Sequence, residues 1–129
     1  MKELLELAYK ARANAYCPYS KFAVGAALLA KSGRVYTGCN VENASFGAGC
    51  CAERAALYQA VSCGEREFEK LAIVADIVGG PTPCGICRQA LAEFGSLEII
   101  TGDLAGNTNK YTLDELLPNA FLKFAPGED

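Results

Sequence analysis

The stretch KLAIVADIVGGPTPCGICRQAL, residues 70–91, decides the fold of this chain. Its first eight residues, 70–77, form a short apolar run that predicts a buried strand. The glycines and prolines of residues 79–83 predict a loop, which opens a core helix over about 84–94. Residues 97–101 (LEIIT) predict a second strand. A strand, a helix and a strand in succession imply a parallel pair joined by a helical crossover, the repeating unit of an α/β sheet.

The rest of the chain predicts antiparallel strands and further helices around this unit. Alternating or continuous apolar residues predict strands, whereas apolar residues three and four apart predict helices. In chain order, the additional elements are a helix over 2–15, a hairpin of 22–30 with 34–41, a helix over about 51–63, a strand near 109–111 and a helix over 112–117. We therefore expect a single domain, residues 1–129, with a three-layer α/β/α fold around a mixed five-stranded sheet.

Composition and charge argue against several classes of protein. The 129 residues are 51% hydrophobic and 21% charged, with 12 basic and 15 acidic residues. The basic residues are scattered singly, whereas nucleic-acid binders present a basic stripe to the phosphates, so we expect no nucleic-acid partner. No apolar run approaches the ~20 residues that span a bilayer. Residues 1–10 (MKELLELAYK) lack the apolar centre of a secretory signal, so we expect no membrane partner and a cytoplasmic location.

Seven cysteines are many for a chain of this length, and their number is odd. An odd count without a signal peptide argues against a disulfide framework and favours a metal site. Cys84 and Cys87 have the C-x-x-C spacing with which one short turn presents two thiolates to a single ion. A helix N-terminus carries partial positive charge, which also favours thiolates there. For this motif taken alone, a redox pair and two buried core thiols remain open.

A second boundary between a loop and a helix carries the triplet Cys51-Ala52-Glu53. Cys51 would add a third thiolate, and three protein ligands leave the fourth tetrahedral position open, which is typical of a catalytic zinc site. Cys50 could serve instead, but only Cys51 preserves the C-x-E spacing. Glu53 is near enough to act on whatever occupies the open position. The alternative for Glu53 is a solvated acid in the first turn of a helix.

Together these residues match the zinc deaminase signature, in the variant with three cysteine ligands. Four longer segments carry a wider likeness: YSKFAVGAALL (19–29), GCNVENASFG (38–47), CAERAA (51–56) and PCGICRQAL (83–91). The chain resembles the small cytidine deaminases whose zinc ligands are all cysteines, over nearly its whole length. The resemblance implies a cytidine deaminase-like fold and one zinc ion (Zn²⁺) per chain, held by Cys51, Cys84 and Cys87. It also implies a homotetramer with active sites shared between subunits.

The activity implied by the resemblance is hydrolytic deamination of cytidine and deoxycytidine to uridine and deoxyuridine, with release of ammonia, as in pyrimidine salvage. Glu53 would carry protons from a zinc-activated water to ring nitrogen N3 and then to the departing amine. Zinc held by three thiolates is net negative and a poorer Lewis acid, so groups that withdraw charge from sulfur are expected nearby. Arg54 matches the family arginine with this role, and Arg88 could share it. Either could instead be an ordinary arginine on a helix surface.

Substrate contacts are predicted for two polar and two aromatic side chains. Asn40 and Glu42 lie two apart near a strand end and so point to the same side. The resemblance implies that both bind the ribose, and the alternative is a polar strand end or an Asx turn. It also implies that Phe22 lines the base pocket and that Phe121 stacks over the base of a neighbouring subunit, although core positions would otherwise be expected. Ala52 could offer its backbone N–H to the base.

Two other functions share part of this pattern. A deaminase of a modified cytosine nucleoside, such as a nucleoside antibiotic, would have the same three-cysteine zinc core. The segment Asn40-Val41-Glu42-Asn43, with a carboxylate suited to a ribose, favours plain nucleosides. A structural zinc module would need a fourth protein ligand such as Cys50, and the glutamate of the C-x-E triplet argues against it.

Overall fold

The computed structural model describes residues 2–122 of the chain. In chain order its elements are helix α1 (Lys2–Arg12), strands β1 (Val24–Ala30) and β2 (Val35–Cys39), a short 3-10 helix (Phe46–Ala48), helix α2 (Ala52–Ser62), strand β3 (Phe68–Ala75), helix α3 (Gly85–Ala92), strands β4 (Glu98–Gly102) and β5 (Thr108–Thr112), and helix α4 (Leu113–Leu116). Each helix and strand predicted from the sequence is present. None of the described helices has the length and apolar character needed to cross a membrane.

The five strands form one mixed sheet in the order β2-β1-β3-β4-β5. Strand β1 pairs antiparallel with both β2 and β3, and β4 pairs antiparallel with β5. The parallel pair is β3 with β4, in a register that runs from Lys70↔Glu98 to Val74↔Gly102. Helix α3 makes the crossover between these two strands, as the strand–helix–strand pattern predicted. The predicted mixed five-stranded sheet is therefore confirmed.

Two cores lie on opposite faces of the sheet, because successive residues of β1 point to opposite sides. Leu28 packs into the core that α2, α3 and α4 cover, whereas its neighbour Ala27 packs against Ala8 of α1. This arrangement confirms the three-layer α/β/α fold. A glycine in β2 lets α2 approach the sheet closely, since a Cβ at Gly38 would lie 2.6 Å from the carbonyl oxygen of Ala52.

Several elements end a few residues earlier than the sequence predicted, and two of these ends concern the predicted site. Helix α1 ends at Arg12, because the chain turns away and Tyr16 forms an isolated bridge with Val41. Strand β3 ends at Ala75, and the next residues form a turn in which the N–H of Ile77 donates to the Ala75 carbonyl. The side chain of Ile77, predicted to be buried in the strand, is 50% exposed. Both turns lead into segments that line the predicted site.

Candidate active site

The three predicted zinc ligands meet where two helices begin on the same face of the sheet. Cys51 is the N-cap residue of α2, Cys84 is the N-cap residue of α3, and Cys87 lies in the first turn of α3. The sulfur of Cys84 lies 3.7 Å from that of Cys51 and 3.5 Å from that of Cys87. All three sulfurs lie within 4.8 Å of one another. Two positive helix ends therefore converge on one cluster of sulfurs and favour negative charge there.

The sulfur triad fits a zinc ion. Tetrahedral zinc with Zn–S bonds of about 2.3 Å requires sulfurs separated by about 3.8 Å. The separations of 3.5 Å and 3.7 Å at Cys84 are close to this value. Three thiolates also leave a fourth position for water or substrate. Because Cys87 is buried and Cys84 is exposed, the cluster is enclosed on one side and accessible on the other.

Arg54 contacts the sulfur cluster, as the resemblance to the family implied. Its Nη2 donates to the sulfur of Cys51 at 3.6 Å. Hydrogen bonding with Cys87 and with Arg54 lowers the pKa of Cys51 to about 5, and the bond to Cys51 together with burial raises the pKa of Cys87. The Nε of Arg54 is buried and has no hydrogen-bond partner within residues 2–122. The guanidinium thus places positive charge, and a spare donor, beside the cluster.

Arg88 takes a different position from the one predicted. Its Nε donates to the carbonyl of Pro83 at 2.7 Å, its Nη1 to the carbonyl of Leu116 at 2.8 Å, and its Nη2 to Oγ1 of Thr82 at 3.3 Å. All three guanidinium nitrogens are directed at oxygen atoms, and none of these bonds reaches a cysteine. The prediction that Arg88 withdraws charge from the thiolates is therefore corrected, because this arginine ties the loop before α3 to the end of α4.

Glu53 lies in the first turn of α2, and only 5% of its surface is exposed. The alternative of a solvated acid on the helix surface is excluded by this burial. Burial raises the pKa of Glu53 to about 7, and the charge of Cys51 acts in the same direction. A carboxyl group with a pKa near neutrality can both accept and return a proton. Glu53 lines the same cavity as Cys51 and Cys84, on the accessible side of the sulfur cluster.

This cavity has a volume of about 220 Å³. The predicted site residues that line it are Phe22, Asn40, Glu42, Cys51, Ala52, Glu53 and Cys84. Phe121 does not line the cavity. Phe121 is 63% exposed, and its carbonyl accepts a hydrogen bond from Nε2 of Gln89 at 2.7 Å. A larger cavity of about 510 Å³ lies against α1 and contains none of the predicted site residues. Cavity volume alone would therefore have indicated the face of the sheet that α1 covers, and not the face that carries the sulfur cluster.

Asn40 follows the end of β2 and holds the loop before β1. Its Oδ1 accepts a hydrogen bond from the N–H of Val24 at 2.9 Å, and its Nδ2 donates to the carbonyl of Phe22 at 2.7 Å. A side-chain amide offers two N–H donors and two lone pairs on oxygen. One donor and one lone pair of Asn40 are therefore still available to a ligand in the cavity.

Glu42 holds an earlier part of the same loop, at Tyr19 and Ser20. Its Oε1 accepts from the N–H groups of Tyr19 and Ser20 at 3.0 Å and 3.1 Å, and its Oε2 accepts from the Ser20 hydroxyl. The hydroxyl of Ser20 holds the pKa of Glu42 below its usual range, with the two backbone N–H groups acting in the same direction. A carboxylate has about four lone-pair sites, so Glu42 retains one acceptor site.

The sequence did not single out Ser20, Pro81 or Thr82, which also line the cavity. Ser20 lies inside the quoted segment 19–29, but its bond to Glu42 joins positions 22 residues apart. Pro81 and Thr82 belong to a segment that the sequence identified only as a loop. A pattern of prolines and glycines predicts that a chain turns, and it does not predict which surface the turn faces.

Known proteins are similar to this chain in sequence and in fold. The family model for the cytidine and deoxycytidylate deaminase zinc-binding region matches residues 1–103, which include all three cysteines of the cluster. A cytidine deaminase from Sporosarcina psychrophila is 50% identical over 125 residues, which cover 95% of this chain and 92% of the relative. The crystal structure of cytidine deaminase from Burkholderia pseudomallei is 46% identical and superposes with a TM-score of 0.89 over 93% of this chain and 98% of that chain. The crystal structure of cytidine deaminase from Mycobacterium tuberculosis is 43% identical and superposes with a TM-score of 0.79 over 93% of this chain and 95% of that chain. The chain belongs to the family of zinc-dependent cytidine deaminases.

Proposed function

We propose that this chain catalyses the hydrolytic deamination of cytidine and deoxycytidine, which consumes water and yields ammonia with uridine or deoxyuridine. The observation that carries the proposal is the position of Glu53, whose buried carboxyl lines one cavity together with Cys51 and Cys84. Two relatives that are 50% and 48% identical over more than nine-tenths of this chain are named cytidine deaminase. A cluster of three sulfurs from two helix starts, a buried carboxyl and a cavity lined by Asn40 and Glu42 together suit hydrolysis of a small polar substrate.

Cys51, Cys84 and Cys87 would hold one Zn²⁺, which supplies a water of lowered pKa when it is bound. The carboxylate of Glu53, on the accessible side of these sulfurs, accepts a proton there and donates it to ring nitrogen N3 of the base. Protonation of N3 makes C4 electrophilic. The hydroxyl group that remains from the water bonds to C4. Glu53 then carries the remaining proton of that hydroxyl to the amino group, which leaves C4 as ammonia, and C4 becomes a carbonyl. One carboxyl group can work in both directions because proton acceptance and proton donation occur at different steps.

Asn40 and Glu42 would bind the sugar, and the groups that they leave unused support this role. Glu42 has one acceptor site remaining, which suits one hydroxyl, and the 3′-hydroxyl is common to cytidine and deoxycytidine. Asn40 retains a donor and an acceptor for the same ligand. At the base end, Phe22 would form an apolar wall. The N–H of Ala52 would donate to the base, since the first N–H groups of a helix have no partner within the helix.

The two alternatives find less support. Cys50, the residue that could close the zinc shell of a structural module, lies with its sulfur 3.5 Å from the Cys51 carbonyl and is not a member of the sulfur cluster. A structural site with four protein ligands also has no open position on which the buried carboxyl of Glu53 could act. A deaminase of a modified cytosine nucleoside would use the same cluster, but the relatives named above are cytidine deaminases.

We also propose that the chain forms a homotetramer in the cytoplasm, acts in pyrimidine salvage, and contributes Phe121 to the site of a neighbouring subunit. Phe121 is exposed and does not line the cavity of its own chain, which supports this arrangement. Sedimentation equilibrium measures the number of subunits. Mixed oligomers of Phe121→Ala and Glu53→Gln test the sharing, because a shared site regains activity when one subunit supplies the carboxyl and its neighbour the aromatic ring.

The proposed reaction is tested with purified, zinc-loaded protein and cytidine. Loss of the cytosine absorbance and release of ammonia should proceed in equal amounts, with uridine as the product. Deoxycytidine should be converted as well. A protein with one zinc per chain that releases no ammonia from either nucleoside would contradict the proposal and favour a modified cytosine nucleoside as substrate.

A further inference from the structure

The loop between β3 and α3, residues 76–84, forms one wall of the cavity and ends at a zinc ligand. Pro81 and Thr82 line the cavity, and Cys84 belongs to the sulfur cluster. The position of this loop therefore sets the distance between the cavity wall at Pro81 and Thr82 and the carboxyl group of Glu53 on α2. Its first half is held by a part of the molecule outside the site, the end of the β4–β5 hairpin.

Two consecutive glycines give this loop its path. Gly79 and Gly80 have φ angles of 78° and 82°, in the left-handed region that favours glycine. The loop also presses directly on the backbone of β4, because a Cβ at Gly80 would lie 2.4 Å from the nitrogen of Gly102. The conformation is thus specific and closely packed, and it directs the chain into the Pro81-Thr82-Pro83 segment.

Side chains at the end of β4 hold both backbone groups of Gly79. The Oγ1 of Thr101, a residue with only 1% of its surface exposed, donates to the Gly79 carbonyl at 2.6 Å. On the other side, Oδ2 of Asp103 accepts from the Gly79 N–H at 2.9 Å. Nδ2 of Asn109 lies 3.4 Å from the same carbonyl as a longer contact. Gly79 is therefore fixed by one donor and one acceptor from the same strand end.

The carboxylate of Asp103 is itself fixed in place. Its Oδ1 accepts from the N–H groups of Ala105 and Asn107 at 2.9 Å and 2.8 Å, and its Oδ2 accepts from Nδ2 of Asn107 at 2.9 Å. These bonds close the turn between β4 and β5. The hairpin end is thus a rigid support to which the loop is attached.

We propose that Thr101 and Asp103 are positioning residues for the deamination, which act by holding Gly79 and thereby the cavity wall at Pro81 and Thr82. This inference rests on the proposed function. Neither side chain lines the cavity, so neither contacts the substrate. They act through the loop, and small displacements of groups that position a substrate lower the rate of reaction strongly.

The test separates a positioning role from a contribution to folding alone. Thr101→Val keeps the shape of the side chain and removes the donor to Gly79, whereas Thr101→Ser keeps the hydroxyl. Thr108→Val makes the same chemical change at an exposed site on β5 and serves as the control. Each variant is compared for kcat and KM with cytidine, for bound zinc and for thermal unfolding.

We expect Thr101→Val to lower kcat/KM about ten-fold per zinc-loaded site, with Thr101→Ser and Thr108→Val within about two-fold of the parent. A Thr101→Val protein that only unfolds at lower temperature, with unchanged kcat and KM in its folded fraction, would overturn the inference. If Thr101→Val does not fold, the same criteria apply to Asp103→Ala. Absence of turnover in the parent chain would instead contradict the proposed function.

A double variant tests whether both residues act through Gly79. If they do, Thr101→Val with Asp103→Ala should lose less than the product of the two single effects, because the first change already releases the loop. Effects that multiply fully would show two independent routes and contradict the shared role.

Discussion

Helices α2 and α3 begin alike and then differ in what their arginines contact. Each starts at a cysteine of the sulfur cluster, and each has an arginine in its first turns, Arg54 or Arg88. Arg54 donates to the sulfur of Cys51, whereas Arg88 donates to two backbone carbonyls and a hydroxyl. The buried carboxyl of Glu53 also belongs to α2. The start of α2 therefore brings a carboxyl group and a guanidinium group to the sulfur cluster, whereas the arginine at the start of α3 ties that helix to neighbouring segments.

Removal of a sulfur should have the largest effect. Cys87→Ala deletes the buried ligand that α3 contributes, and we expect loss of bound zinc and of detectable deamination, since two thiolates cannot hold the ion as three do. Metal analysis and the ammonia assay measure both. Cys50→Ala, next to Cys51 but outside the cluster, is the matched control and should keep zinc and activity. A zinc-free but active Cys87→Ala protein would contradict the assignment of the cluster.

Exchange of the carboxyl on α2 should leave the metal and remove the reaction. Glu53→Gln keeps the size of the side chain but cannot accept a proton, so we expect kcat to fall about 10⁴-fold, the upper range for a general acid–base group. Zinc content should not change. Glu69→Gln, at an exposed site on β3, provides the control. Substantial turnover by Glu53→Gln would mean that another group moves the protons.

The charge near Cys51 should have a smaller, graded effect. Arg54→Gln removes the positive charge from the sulfur cluster, and outer residues of this kind typically contribute 10- to 100-fold to metal affinity or activity, so we expect kcat to fall by about that factor. Arg54→Lys keeps the charge and should restore much of the loss. Steady-state kinetics on zinc-loaded protein provide the measurement. An Arg54→Lys variant as slow as Arg54→Gln would show that the direction of the hydrogen bond, and not the charge, is what matters.

The residues of the sulfur cluster and Glu53 were predicted from the sequence at both helix starts. Local spacing predicted that Cys84 and Cys87 could face one ion and that Glu53 lies near Cys51. The meeting of Cys51 with Cys84, 33 residues later, was predicted from the zinc deaminase signature. The strands were predicted from local spacing as well, because apolar patterns are local. Only the ends were misjudged, as at Ile77, where a turn replaces the last residues of a predicted strand.

Contacts between distant segments could not be predicted in this way. Arg88 reaches a carbonyl 28 residues away at Leu116, and Thr101 reaches Gly79 across 22 residues. No local pattern marks either partner, since any residue offers a backbone carbonyl. The position of Arg88 next to Cys87 suggested a contact with sulfur, but tertiary packing supplied nearer acceptors. Proximity in sequence to a motif is thus a poor guide to where a long side chain ends.

The smallest effect on activity is expected at Arg88. Arg88→Met keeps the aliphatic length but leaves the carbonyls of Pro83 and Leu116 without their donors, which should lower the free energy of unfolding by about 1–3 kcal/mol. Denaturant unfolding measures this loss, and kcat should fall only a few-fold. Arg88→Lys should not restore stability, because one ammonium group cannot reproduce three directed bonds. Arg54→Lys should therefore recover much of the activity, whereas Arg88→Lys should not recover the free energy of unfolding. If Arg88→Met instead lowered kcat more than Arg54→Gln while stability stayed unchanged, the start of α3 would carry charge for the reaction after all, and the division between the two helices would be wrong.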